Sequence, residues 1–168
     1  MEINKQPISN VQWVDVDLLS ANDYNPNVVF KDEMKLLKFS ILKNGWIQPI
    51  LVTQDYCIID GFHRATLAKT NKDITIDGKV PVVMMEMSEP ERMMLTIRIN
   101  RAKGSHVALK MSEIVHKLVN DYGIPFAQIC DGIGARKDEV ELLLMDNVFE
   151  AKGINEATKY SQAWIPNK

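Results

Sequence analysis

Cysteine, long apolar runs and surplus positive charge are all scarce in this 168-residue sequence. Its two cysteines, Cys57 and Cys130, lie far apart with no Cys-x-x-Cys or Cys/His cluster, which argues against a disulfide framework and a structural zinc site. The longest apolar runs, residues 49–52 and 80–85, fall far short of the roughly 20 residues that span a bilayer, so no transmembrane helix is expected. The opening Met-Glu-Ile-Asn-Lys-Gln-Pro has no apolar h-region, and a cytoplasmic location is expected. With 20 basic and 22 acidic residues the net charge is −2, which denies the chain the global cationic field of a DNA-coating protein.

What is present is globular. Hydrophobic residues make up 46% and charged residues 25%, enough for one domain, with or without a small helical appendage. Charge is unevenly spread. Residues 92–112 hold Arg92, Arg98, Arg101, Lys103 and Lys110 and no acid, whereas residues 113–147 hold seven acids against three cations, a net of −4. A polyanion should meet the first stretch and avoid the second.

Alternation over residues 11–16 predicts a strand, followed by the turn-rich Asn-Asp-Tyr-Asn-Pro-Asn at 22–27. Asp32 is expected to cap a helix with apolar Met34, Leu37 and Ile41, ending at Asn44-Gly45. Residues 48–53 and 56–59 predict a hairpin about Gln54-Asp55, and residues 80–85 another strand, with Pro81 near its start. Ser88 and Glu91 form a capping-box pattern ahead of a helix to about Lys103. Gly104-Ser105-His106 breaks the pattern. Helices are then expected over 108–120, 125–131 and 137–145, with a Gly132-Ile133-Gly134 turn between the last two and a polar tail beyond.

The sharpest local signal is Asp60-Gly61-Phe62-His63-Arg64 between a strand end and a helix start. Gly61 lets the backbone approach a ligand, the helix opening favours an anion, and Arg64 can fork onto phosphate oxygens. The plainer alternative is a strand-to-helix turn with solvated Arg and His. A second group, Arg98, Asn100, Arg101, Lys103 and His106, supplies cations for a triphosphate or a nucleic-acid backbone, or is a solvated helix face. The third signal runs from Ile129 to Leu143. Apolar Ile129, Ile133, Val140 and Leu143 with small Cys130 and Gly134 match helix-turn-helix spacing, and Arg136 and Lys137 stand at the start of the reading helix. Asp138, Glu139 and Glu141 beside them repel phosphate, so packing on a protein is weighed slightly above base reading.

These residues resemble the superfamily of ParB N-terminal domains and sulfiredoxins. Asn44-Gly45-Trp46-Ile47-Gln48-Pro49-Ile50-Leu51-Val52 is similar to the ParB box in which a helix ends in Gly before a Gln-Pro-Ile-Val strand. Asp60-Gly61-Phe62-His63-Arg64-Ala65 resembles the second box, Gly-Glu-Arg-Arg in ParB and Gly-Cys-His-Arg in sulfiredoxins. The likeness is nearest to small phage and prophage ParB-like proteins with an Asp-Gly-Phe-His-Arg box, some described as transcription co-activators. It implies an α+β fold, with a mixed sheet and packed helices over residues 1–105, a helix-turn-helix-like unit over 106–148 and a tail over 149–168.

It also implies a site for a nucleoside triphosphate, CTP or ATP, with Mg²⁺. Gly61, His63, Arg64, Asn100, Arg101 and Lys103 would hold the nucleotide, and Asn100 would help with the metal. Asp60 and His63 are the acid or base candidates, and Arg98, Arg101, Arg136 and Lys137 the DNA contacts. Phe62 stands where sulfiredoxins have their nucleophilic Cys, so peroxiredoxin repair is not expected. Ile99 stands where ParB CTPases have a Glu, so any hydrolysis should be slow. The leading expectation is a nucleotide-controlled regulator that associates with DNA or a protein partner, with a phosphoadenosine-phosphosulfate-reductase-like protein and a second copy of the chain (a homodimer) among the candidates. The alternatives are an enzyme using the same pocket (nucleotide hydrolase, small-molecule kinase or nuclease) and a module that only docks a partner.

Overall fold

The computed structural model describes residues 2–22, 24, 31–103 and 108–145, with Lys31, Asp32, Lys103, Ala108 and Leu109 described by backbone alone. Its fold is α+β. The strands are β1 (Val11–Asp15), β2 (Ile50–Thr53), β3 (Ile58–Asp60) and β4 (Lys79–Met85). The helices are α1 (Lys31–Asn44), α2 (Phe62–Thr70), α3 (Glu89–Lys103), α4 (Ala108–Asn120), α5 (Phe126–Ile133) and α6 (Lys137–Leu144). Packing divides the chain into two compact units, one ending at Met87 and the other starting at Ser88 and including Tyr24.

In the first unit the strands run in the order β1-β4-β2-β3, with β4 antiparallel to β1 and parallel to β2. The parallel pair needs a crossover, and β3 followed by α2 provides it. Pro81 stands inside β4 at little cost. Val16 N–H donates to Gly78 C=O at 3.0 Å, so the bonded β1–β4 pairs continue at Val14–Val80 and Gln12–Val82. Trp13–Pro81 is therefore a non-bonded pair, and Pro81 lies one residue ahead of the first β2 partner, Ile50–Val82. Val14, Ile50, Val52, Ile58, Val80 and Val82 form the sheet's share of the core, joined by Val16 just past β1 and closed by Ala65, Leu67 and Ala68 of α2 and Ile41 of α1. Trp46 joins its margin and donates its indole N–H to Ile74 C=O at 2.7 Å.

In the second unit Met93, Met94 and Ile97 of α3 pack with Met111, Ile114, Val115 and Leu118 of α4, Ile129 and Ile133 of α5, and Val140 and Leu143 of α6. Gly132 brings α5 close to α3, since a Cβ there would run into Met94 Sδ. Ser88 N–H and Oγ–H both donate to Glu91, at 2.8 and 2.7 Å, as the capping-box pattern anticipates.

Several local expectations shift. Asp32 falls inside α1 and does not precede it. Strand β3 starts at Ile58 because Tyr56, at φ +61°, extends the turn after β2. Gly132 and Ile133 belong to α5, where Ile133 is buried, and the left-handed Gly134 alone makes the stop. The packing division also falls at Met87/Ser88, whereas the interrupted sequence pattern lies at 104–106, of which nothing is described. Helix α3 buries its apolar face with α4 and α5, which is why it groups with the helices.

Candidate functional site

The turn at the end of β3 is made in one residue. Asp60 closes the strand, Gly61 takes φ +92° and ψ 22°, and α2 begins at Phe62, with Ala65 N–H donating to Gly61 C=O at 3.0 Å. A left-handed residue favours glycine, and space requires it as well. A Cβ at Gly61 would stand 3.0 to 3.3 Å from the Arg64 guanidinium. Having no side chain, Gly61 leaves the opening of α2 without a side-chain cap, the setting in which helix amides take an anion.

Arg64 does more structural work than its sequence position implies. One terminal nitrogen donates to both Gln48 C=O (2.7 Å) and Pro49 C=O (2.8 Å), and the other meets Asp60 Oδ2 at 3.3 Å. The two side chains are only 12% and 15% exposed. Burial pulls the Arg64 pKa down from its ordinary value, and the Asp60 carboxylate pulls it partly back. The fork expected to reach phosphate is thus largely spent on tying the 48–49 segment to the end of β3. His63 is half-buried, with its ring edge-on to Phe62 at 6.1 Å. Beside Arg64 lies a cleft of about 220 Å³ lined chiefly by Leu37, Ile41, Trp46, Ile47 and Gln48. That volume is below the ~300–1,000 Å³ of a whole drug-sized ligand site and suits part of a ligand, such as a flat ring.

The other expected residues lie in the second unit. Asn100 is buried, at 3% exposure. Arg101 meets Glu139 at 3.3 Å and donates to Gly134 C=O at 3.3 Å, tying α3 to the α5–α6 turn. Glu139 also accepts from Arg136 N–H at 3.0 Å. That backbone bond, the largest influence, holds its carboxyl below the usual carboxylate range with help from Arg101, against the cost of desolvation. Arg98 is exposed and, with Arg101, Ile133, Gly134 and Glu139, lines an open groove of about 430 Å³. The Lys103 side chain and His106 lie outside the described residues.

At the head of α6, Arg136 pairs with Asp138 (3.2 Å) and Lys137 with Glu141 (3.7 Å), both near the surface. Of the basic run, Arg92 pairs with Glu89 and Lys110 with Glu113. Sequence reasoning grouped Asp60, Gly61, His63 and Arg64, which lie at the β3–α2 turn. It missed Gln48 and Pro49 as acceptors and Glu139 as the partner of Arg101. Only the Asp60–Arg64 spacing of four could have signalled a pair.

A buried carboxamide such as Asn100 is not by itself a magnesium site. Among the described residues no group of three or more His, Cys, Asp or Glu is placed to hold a metal ion. The described residues alone therefore offer no ready-made donor set for Mg²⁺. Among the described residues no helix is long and apolar enough to cross a membrane.

A mixed sheet that turns through a left-handed glycine into a helix, followed by a helix-turn-helix bundle, defines the class. The ParB N-terminal domain family matches residues 2–100, and the chain belongs to that family. It is 38% identical over 169 residues to the uncharacterized protein YbdM of Escherichia coli (strain K12), covering 95% of this chain and 78% of YbdM. To the probable chromosome-partitioning protein ParB of Rickettsia bellii (strain RML369-C) it is 24% identical over 144 residues, 85% of this chain and 49% of the relative. The chain thus spans about half the length of that chromosome-partitioning relative. Among solved structures, the C-terminally truncated ParB of Caulobacter crescentus complexed to the centromeric parS site matches with a TM-score of 0.55 at 20% identity, over 84% of this chain and 78% of that one. The same protein complexed with CTP-γ-S matches with a TM-score of 0.50 at 21% identity, over 88% of each chain. These likenesses establish the fold.

Proposed function

We propose that the chain is a nucleotide-binding regulatory protein of the ParB family, in which occupancy of the Asp60–Arg64 turn controls association with DNA or a protein partner. The observation that carries this reading is the uncapped opening of α2 behind Gly61, at φ +92°, with a partly apolar cleft beside it. Phosphates would sit against the helix opening and His63, and a flat ring would enter the cleft against Trp46. Arg64 would shape this seat and lend only its remaining donor capacity. The CTP analogue on the Caulobacter ParB makes a nucleoside triphosphate the first ligand to try, with ATP as its competitor and Mg²⁺ arriving on the phosphates. Hydrolysis would be slow, because Ile99 offers no acid or base.

For the second unit the pairing of Arg101, Arg136 and Lys137 with nearby carboxylates supports a protein partner over tight DNA reading. The placement among phage-type regulators rests on the Asp-Gly-Phe-His-Arg box and on Ile97-Arg98-Ile99-Asn100-Arg101-Ala102. The test is calorimetric titration of the full chain with CTP, ATP, GTP and adenosine phosphosulfate, with and without Mg²⁺. One of these should bind, and His63→Ala should weaken it about tenfold, the scale of a lost charge-assisted contact. Absence of binding by all four ligands would overturn the reading.

A further inference from the structure

Strand β1 is the end strand of the sheet, and among the described residues no strand pairs with its outer edge. Its bonded pairs with β4 fall at Gln12 and Val14, so the backbone polar groups of Val11, Trp13 and Asp15 face away from β4. The 3₁₀ turn Val16–Leu18 that follows claims the Asp15 C=O for its own first bond. That leaves the Val11 C=O, the Trp13 N–H and C=O and the Asp15 N–H with no partner among the described residues. Edge strands are ordinarily blunted by Lys, Pro, bulges or cover. Val11-Gln12-Trp13-Val14-Asp15 contains no Lys, Pro or Gly, and its Val11 and Trp13 side chains are 41% and 44% exposed.

We propose that this edge pairs with the β1 strand of a second copy of the chain, antiparallel, about a two-fold axis at Trp13. An unpaired ladder selects an extended backbone over a helix or a small molecule. The order of the free groups then selects the register. With Trp13 opposite Trp13, each Trp13 N–H meets the other Trp13 C=O, and each Asp15 N–H meets the other Val11 C=O, giving about four bonds that use every free group once. A slip of two residues in either direction leaves half of these groups unmatched. In this register Asp15 faces Val11, so no like charges meet, and the exposed indoles lie opposite each other as a cross-strand aromatic pair. A two-fold contact uses one edge per copy, so assembly through it stops at a dimer.

The test is sedimentation velocity on the full chain from low to high micromolar concentration, with circular dichroism as the folding check. The wild type is expected to dimerise reversibly. Trp13→Pro removes only the outward N–H, because Trp13 makes no bond to β4, and Trp13→Lys keeps the backbone but sets two ammonium groups face to face. Both should weaken self-association at least tenfold, whereas Ile76→Lys, at an exposed apolar residue outside β1, should leave it unchanged. If Trp13→Pro fails to fold, Trp13→Lys decides alone. A wild type that stays monomeric throughout, a dimer indifferent to Trp13→Lys, or a monomer that takes only an extended peptide of another protein would each overturn the proposal.

Discussion

Each unit of the chain is tied across its own elements by one arginine, and the two ties differ in kind. In the sheet unit Arg64 is 12% exposed and gives two of its bonds to main-chain carbonyls, those of Gln48 and Pro49, with Asp60 as its counter-charge. In the helical unit Arg101 is 23% exposed, and most of its reach goes to Glu139, itself 37% exposed. A cation out of water depends on every acceptor it has, whereas a pair near water can exchange its partner for solvent. The Gly61 turn is thus held by a tie that cannot be loosened cheaply, and the helix-turn-helix corner by one that can. A rigid seat suits a ligand whose charges must be met in one geometry. A forgiving corner suits a surface that adjusts to a partner.

Removing Arg64 should have the largest effect. Arg64→Ala takes the guanidinium away from the largely buried Asp60 carboxylate and from the two carbonyls that accept from it, so a loss of about 3 to 5 kcal/mol is expected in urea unfolding of the sheet unit. Arg64→Lys should recover only part of it, because an ammonium cannot span carbonyls and carboxylate as a planar fork does. A loss below 1 kcal/mol, on the scale of an exposed pair, would erase the distinction between the two ties. Any ligand affinity lost in Arg64→Ala must therefore be read against this stability loss, and His63→Ala is the cleaner probe of the site.

Gly61→Ala should cost less, about 1 to 3 kcal/mol, from a left-handed φ of +92° and a Cβ pressed onto the guanidinium. In the double variant with Arg64→Ala the crowding has gone and only the backbone strain remains, so the two losses should not add. Full additivity would mean that Gly61 serves the turn alone and is not a seat for Arg64.

Much of this architecture was legible in the sequence, for a definite reason. Burial writes itself as periodicity: Ile129, Ile133, Val140 and Leu143 are all buried where helix-turn-helix spacing puts them, and Met34, Leu37 and Ile41 face the sheet core as the helical period requires. Special backbone geometry writes itself as glycine, and so the Gly61 turn stood out. The ties did not show. A carbonyl acceptor such as that of Gln48 leaves no mark on residue type, and Glu139 lies 38 residues from Arg101. An acid-free stretch of sequence, likewise, says nothing about the acids that other elements bring to it. That is why the run from Arg92 to Lys110 looked like an open cationic face, while in the fold Arg92, Arg101 and Lys110 each meet a carboxylate.

Arg101→Ala should cost about 1 kcal/mol or less, and less still at high salt, since the pair it breaks is partly solvated. The pH dependence then separates the two supports of Glu139. Its carboxyl is held below its ordinary range in the folded protein, so it contributes stability that is present above the unfolded carboxylate pKa and is lost as pH falls through the folded value. The largest single support is the Arg136 N–H, and Arg101 adds to it by its bond and its charge. Thermal melts taken downward from neutral pH should therefore show an acid-side loss in the wild type that is somewhat reduced in Arg101→Ala and reduced further in Glu139→Gln, where this carboxylate is gone and others such as Glu91 still titrate. If Arg101→Ala reduced the acid-side loss as fully as Glu139→Gln does, the guanidinium would be the main support of Glu139, and the corner would be tied as firmly as the Gly61 turn.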